Sequence, residues 1–487
     1  MKKRVLSLVL AGLMALSLIA CGGNGGNDTE GGSSKDALAD AYEGIEIQGI
    51  TEDKILIGNA AATSGAFATV GTPFNVGLNA ALKVYNDKGG FNGKIVELVH
   101  YDDGFNAEQG LTYTKKLVEE DKVFALVGHF GTPTVAATLD YITSDSGIPM
   151  VYAATGISGL YNETAEGMEQ AVMPVQPIYN TEGRILLARA VASVESGLGL
   201  GGKKIGVIST TDEAGVGILE GIKRQEQDIT GVTIKYVTTA ADPGTNHSSA
   251  VNALKAEGCD VIIVAANQTP FGEIMNYMKD AGLDNVKIIT SYVSANDAFL
   301  ATLPITETRE VYTTAWLDIT SATYFYAPAE DNATGTYLWA CYKALAASYG
   351  DAYATMYDAG VFGFSEEYWA AAEAICAYDL AVNGLTSTTA FTNSYNSYAL
   401  AGYIAGTMFI EGLNRVQAAG KDLTWVNYIE AMESAPVDVP MGGAINLANG
   451  SRLGIADLAL NKFDTTKMGL ATYSGITSLE DIMKAVK

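Results

Sequence analysis

The sequence predicts an α/β fold of two lobes, each built around a parallel sheet with helices on both faces. Three observations carry that expectation. Short apolar runs alternate with stretches of helical period along residues 54–152. The same alternation restarts near residue 182 and continues to 291. The runs are short and nearly uninterrupted, as strands buried on both faces require, and they end in Gly, Ser, Thr, Asp or Asn, which build loops.

Residues 54–60 read as the first strand and 63–72, rich in Gly, Ser and Thr, as its loop. Residues 74–87 carry a helical stripe (Val76, Leu78, Ala81, Leu82, Tyr85), stopped by Gly89-Gly90. A strand over 94–101 ends at Asp102-Asp103, and 108–121 is helical. A strand over 123–127 is closed by Gly128-His129-Phe130-Gly131-Thr132-Pro133, a helix covers 135–144, and a strand over 149–152 leads to Ala153-Ala154-Thr155. In the second lobe, helices over 182–196, 217–228, 248–257 and 271–281 interleave with strands over 204–209, 233–237, 260–265 and 286–291. Residues 320–435, rich in Ala and Tyr, read as mainly helical, and 436–463 as strand and turn.

Ligands of parallel α/β sheets sit where loops and helix N-termini converge at the carboxyl ends of strands. Those ends read Ser64-Gly65, Asp102-Asp103, Thr132 and Thr155 in the first lobe, and Asp212, Asn267 and Tyr292 in the second. Small hydroxyl and amide groups with few charges suit a small polar head, and helix N-terminal N–H groups suit a carboxylate.

The 487 residues, 48% hydrophobic and 17% charged, are enough for several domains and a large core. The formal net charge is −25, and removing the basic start Lys2-Lys3-Arg4 deepens it. Such a chain lacks the clustered bases that nucleic-acid phosphates need. Residues 5–20 form an apolar stretch of signal-peptide length behind that basic start. It ends Leu18-Ile19-Ala20-Cys21, which resembles the bacterial lipobox; the resemblance implies cleavage before Cys21 and a diacylglycerol on its thiol. The Gly/Asn/Ser run 22–34 is expected to act as a flexible tether. No later uninterrupted apolar stretch reaches the about 18 residues of a spanning helix.

The remaining cysteines, Cys259, Cys341 and Cys376, fit no zinc spacing. Cys259 precedes an apolar run and reads as a small buried hydrophobe; Cys341 and Cys376 are either free or paired. Three histidines occur, His100, His129 and His247, without a Gly-x-Ser-x-Gly elbow, a His-Glu-x-x-His or a P-loop. The glycine run 197–202 precedes its strand rather than following one, so it reads as a turn, and Gly215-Val216-Gly217 reads as a loop leading into a helix. Asp102-Asp103 is expected to be a strand-end turn with one carboxylate capping the next helix, in preference to a metal or acid–base pair. His129 is expected to be a hydrogen-bonded structural residue.

From about residue 54 to 470 the chain resembles the extracytoplasmic solute-binding proteins of branched-chain amino-acid ABC transporters, the leucine/isoleucine/valine-binding group. The segments that carry the resemblance are Ile57-Gly58 through Ser64-Gly65 to Gly71, Asn86-Asp87-Lys88-Gly89-Gly90-Phe91-Asn92-Gly93, Tyr101-Asp102-Asp103, Val127-Gly128-His129, Gly147-Ile148-Pro149 through Thr155, and Val439-Pro440-Met441-Gly442-Gly443. The resemblance implies the type I periplasmic-binding fold: two Rossmann-like lobes, a hinge of three crossings and a ligand cleft between the lobes. Crossings would fall near 176–180, 317–321 and 445–460. The expected parts are a signal peptide (1–20), lipidated Cys21 with its tether (21–50), lobe I (51–176 plus 320–440, with 320–395 enlarged) and lobe II (177–319 plus 441–487).

Carried over residue by residue, the resemblance implies that Thr132 holds the ligand carboxylate. Thr155 then contacts carboxylate and ammonium, and Ala153 offers a carbonyl to the ammonium. Ser64 and Phe130 line the same loops. The family's ammonium-binding glutamate falls on Tyr292, and its pocket tyrosines fall near Val70, Ala214 and Asn267. Its disulfide positions fall on Phe105 and Gly131, so that bridge is absent. A buried ammonium needs a carboxylate, so either Asp212 or Asp297 substitutes or the ligand is not a plain α-amino acid. The expected function is a monomeric, lipid-anchored, cofactor-free receptor that delivers a small carboxylate-bearing solute to ABC permease subunits. The rivals are a binder of an amide, short peptide or aromatic acid, a sensor ectodomain, and a secreted hydrolase using Ser64, His129 and Asp102.

Overall fold

The computed structural model describes residues 34–295, 297–317, 333–348, 365–466 and 469–486. The leader, Cys21 and residues 22–33 of the tether lie outside the described residues, as do most of the crossing expected at 317–321 and parts of 320–395.

The chain opens with α1 (Ser34–Ala41), β1 (Lys54–Ala61), α2 (Ala68–Asp87), β2 (Ile95–Asp102), α3 (Ala107–Glu119), β3 (Ala125–Val127), α4 (Thr132–Asp140), β4 (Met150–Val151) and β5 (Val172–Met173). The strands form one parallel sheet in the order β2-β1-β3-β4-β5. Ile55, Ile57, Leu126, Val127, Met150 and Val151 are fully buried in it, which is why these runs are apolar without alternation. Two features depart from expectation. Helix α2 starts at Ala68, inside the stretch read as loop, with Pro73 in its second turn withdrawing one ladder bond. Strand β5 was not anticipated; two residues carry too little periodicity to show.

The second unit runs α5 (Tyr179–Val191), β6 (Lys204–Thr210), α6 (Glu213–Glu226), β7 (Thr233–Thr239), α7 (Ser248–Glu257), β8 (Val261–Ala265), α8 (Gln268–Asp280), β9 (Val286–Thr290), α9 (Asp297–Leu300) and β10 (Arg309–Ala315). Helices α10 (Ala333–Ser348), α11 (Glu366–Ala381), α12 (Ser387–Ser394), α13 (Ser397–Ala418) and α14 (Trp425–Glu433) follow, and α11 and α13 pack on α2 of the first unit. The hairpin β11 (Val437–Asp438) and β12 (Ala444–Ile445) precedes β13 (Asp457–Asp464), β14 (Gly469–Ser478) and α15 (Leu479–Lys484).

The second sheet has the order β14-β13-β10-β9-β8-β6-β7. It is not purely parallel as expected: β13 pairs antiparallel with β10, and β14 with β13. The buried Arg189 of α5 locks this edge, donating to the Leu458 carbonyl (2.6 Å), the Leu198 carbonyl (2.8 Å) and the Ser474 hydroxyl (2.9 Å). Burial pushes its guanidinium down to about 10. Gly215, expected in a loop before the helix, lies in the first turn of α6.

Candidate functional site

In the first sheet the chain reverses direction of winding between β1 and β3, and in the second between β6 and β8. Such switch points open a crevice at the carboxyl ends of the strands. The loops after β3 and β4 stay paired beyond the strands: the Phe130 N–H reaches the Ala60 carbonyl (3.0 Å), and the Ala154 N–H reaches that of His129 (2.8 Å). That pairing sets Thr132, first residue of α4, beside Thr155, with their hydroxyl oxygens 2.9 Å apart. The Ala153 carbonyl accepts the Thr155 N–H at 2.9 Å and keeps a second lone pair. Phe130 is buried against Phe74, ring centroids 5.4 Å apart, and Val70 is half-buried in the first turn of α2.

Ser64 is exposed on the loop after β1. Asp102 gathers that loop, accepting from the Thr63 (3.0 Å), Ser64 (3.3 Å) and Gly104 (3.1 Å) N–H groups. Partial burial opposes its charge, but these bonds and the Ser64 hydroxyl outweigh that and hold its carboxyl below the usual range. Burial pushes Asp103 up, against the bond it receives from the Thr134 hydroxyl. Neither carboxylate caps the next helix: Asn106 does so, accepting the Gln109 N–H at 3.0 Å, so that expectation is corrected. Gly131 (φ 98°) precedes Thr132, and a Cβ there would lie 2.7 Å from the Phe105 ring, which stacks on Phe67 with centroids 3.7 Å apart. The two positions that would bear the family's bridge are thus in contact, joined by an aromatic ring against a bare backbone.

In the second sheet, Asp212 follows β6 and caps α6. Its Oδ1 accepts the Gly215 N–H (3.1 Å) and the Thr210 hydroxyl (2.5 Å), and its Oδ2 accepts the Asn267 amide (2.8 Å). Asn267 opens α8 without capping it; its side chain is turned to Asp212 instead. Ala214 is buried in the first turn of α6. Asp297 begins α9, and its side chain lies outside the described residues. Tyr292 follows β9; its hydroxyl donates to the Pro177 carbonyl (3.2 Å) in the first crossing.

Sequence reasoning missed three residues here. Tyr179, at the first crossing, has its N–H on the Gly156 carbonyl (2.7 Å) and lies against Gly217 of α6. Burial raises its phenol, and so do the charges of Glu182 and Asp212, against a bond from Thr155. Tyr152, just before Ala153, is fully buried with an unpartnered hydroxyl. Glu182 is fully buried, accepts from the Ser291 (2.6 Å) and Thr314 hydroxyls, and ties α5 to the ends of β9 and β10. Burial raises its carboxyl. An acid and a tyrosine three residues apart after Pro177 were the available signal.

No hydrolytic triad is assembled from Ser64, His129 and Asp102. His129 is fully buried, its Nδ1 near the Ala60 N–H (3.3 Å) and its Nε2 on the Thr114 hydroxyl (2.7 Å). That hydroxyl donates to the Gly110 carbonyl, so the ring carries its proton on Nε2, and burial pushes it down to about 3. Cys259, Cys341 and Cys376 are free thiols. Among the described residues no helix is long and apolar enough to cross a membrane, and no cluster of His, Cys, Asp or Glu suits a metal ion.

A family model described as periplasmic binding protein matches residues 54–394. An "Amino acid binding protein" of Pseudomonas aeruginosa is 26% identical over 237 residues, 47% of this chain. The chain spans 58% of that relative's length. A branched-chain amino-acid ABC transporter structure from Thermus thermophilus with bound valine matches at a TM-score of 0.59 and 13% identity, covering 90% of this chain and 99% of that one. A fatty acid ABC transporter substrate-binding protein from Thermomonospora curvata also matches at 0.59, with 18% identity, covering 91% and 98%. These structural likenesses concern the fold.

Proposed function

The chain belongs to the periplasmic binding protein family, and from that premise we propose that it is an extracytoplasmic receptor for an α-amino acid, which it traps between two lobes and delivers to an ABC permease. The observation that carries this reading is the Thr132–Thr155 hydroxyl pair at the switch point of the first sheet. The first turn of α4 adds unpaired N–H groups, so hydroxyls and helix dipole together suit a carboxylate. In this reading lobe I comprises 51–176 plus 320–440 and lobe II 177–319 plus 441–487. The leader ends at a lipidated Cys21, which holds a monomeric body at the outer face of the membrane. The names of the relatives support the ligand class, since they denote binding proteins for amino acids and other carboxylates.

A second reading, an amine-free carboxylate, is favoured by one observation: Tyr292 stands where the group has its glutamate, and its hydroxyl is already committed to Pro177. Isothermal titration of the intact protein against the twenty common amino acids separates the two, with solution scattering to follow closure of the lobes. Binding with compaction by one amino acid is expected. Silence from all of them, with binding of a fatty or aromatic acid, overturns the amino-acid reading.

A further inference from the structure

We propose that Asp212, positioned by Asn267, supplies the counter-charge for the ligand's ammonium; the inference rests on the amino-acid reading and names the residue that makes it selective. In the amino-acid reading the two sheets present their switch points to one cleft. The first contributes Thr132 and Thr155, the second Asp212 after β6 and Asn267 after β8. Tyr179 links them: it packs between Gly156 of the first unit and Gly217 of α6, the helix that Asp212 caps. Asp212 is half-buried, and among the described residues it has no basic partner. Three neutral donors hold its carboxylate in one orientation and leave its charge uncompensated.

Asn267 supports the same assignment. An asparagine at a helix start ordinarily caps that helix, yet this one leaves α8 uncapped and orients Asp212. A second, independent observation comes from the residue before Ala153. The fully buried Tyr152 hydroxyl has no hydrogen-bond partner. In this reading a polar ligand head beside Ala153 answers that hydroxyl, which an apolar filling would leave orphaned. The tyrosine at position 292 then replaces the family's glutamate without loss of the ammonium site, because the acid has moved from the end of β9 to the end of β6.

The test is a cycle between protein and ligand. The probes are the tightest-binding of the twenty common amino acids and its des-amino acid (leucine and 4-methylpentanoate if leucine leads). They are titrated against the intact wild-type protein and Asp212→Asn, which keeps the shape and the helix cap. The amino acid is expected to weaken by about 30- to 100-fold while the des-amino acid changes by less than about threefold. Asp212→Ser, a second capping side chain, gives the same readout if the first variant does not fold. Undiminished amino-acid binding by these variants overturns the assignment alone. A wild type that binds the des-amino acid and none of the amino acids overturns the amino-acid reading and the assignment with it.

Discussion

Thr132 and His129, three residues apart, show how one loop divides its work. The Thr132 hydroxyl faces Thr155 at 2.9 Å, in position to bond a carboxylate. Thr132→Ala is expected to weaken an amino-acid ligand by about 1–3 kcal/mol, measured by titration calorimetry, with little change in melting temperature. His129 is the loop's rigid support, buried and neutral. Unfolding lets it bind a proton at its ordinary pKa near 6.5, whereas the folded ring resists until about 3. Its contribution to stability is therefore complete above about pH 6.5 and is lost as the pH falls towards 3, by up to about 1.4 kcal/mol per unit. Urea unfolding between pH 7 and 4 should show that slope, flattened in His129→Gln. Thr132, Thr155 and Asp212 were legible as candidates because strand-end chemistry is local. Tyr152 and Tyr179 were not, because an aromatic residue beside a strand end reads as core until the second sheet is placed against it.

Elements were legible where burial and period agreed, as in β1, β6 and α7. Helix α2 was read short because Thr69, Gly71, Thr72 and Pro73 are poor helix formers, a weak preference that packing overrides. Its partner α13 shows what that packing demands. A Cβ on Gly402 would lie 1.8 Å from the Phe74 carbonyl, and one on Gly77 1.8 Å from that of Ala399. The two backbones thus touch at glycines. Gly402→Ala is expected to destabilise the protein by at least about 3 kcal/mol, seen as a lowered denaturation midpoint, because two helices must separate to admit one methyl. Strand β14, rich in Gly, Thr and Ser and mostly half-buried, carried too little apolar pattern to be read. Its place is set by pairing with the preceding strand β13 and by Arg189, 285 residues away from Ser474 in sequence.

At the scale of the whole molecule, two sheets are joined by crossings whose residues also lie at the candidate site. Tyr179 and Pro177 belong to the first crossing and touch both units, Tyr179 at Gly156 and Gly217 and Pro177 at Gly156 and Tyr292, so in the proposed reading a hinge motion there would reshape the cleft. The third crossing is held by Arg452, buried and bonded to the Gln170 carbonyl and to Glu433 at 2.5 Å. Contacts beside the cleft also span the units: Ser158 donates to Glu220 at 3.3 Å, and Arg224 pairs with Glu163. The ring of Phe105 against Gly131 has a consequence for where such a protein can work. A ligand loop stapled by cystine depends on oxidative assembly and on the thiol poise of its surroundings. Here the same junction is made by an aromatic face on a glycine, so its integrity is independent of electron supply: it forms at the rate of folding and is indifferent to reductants.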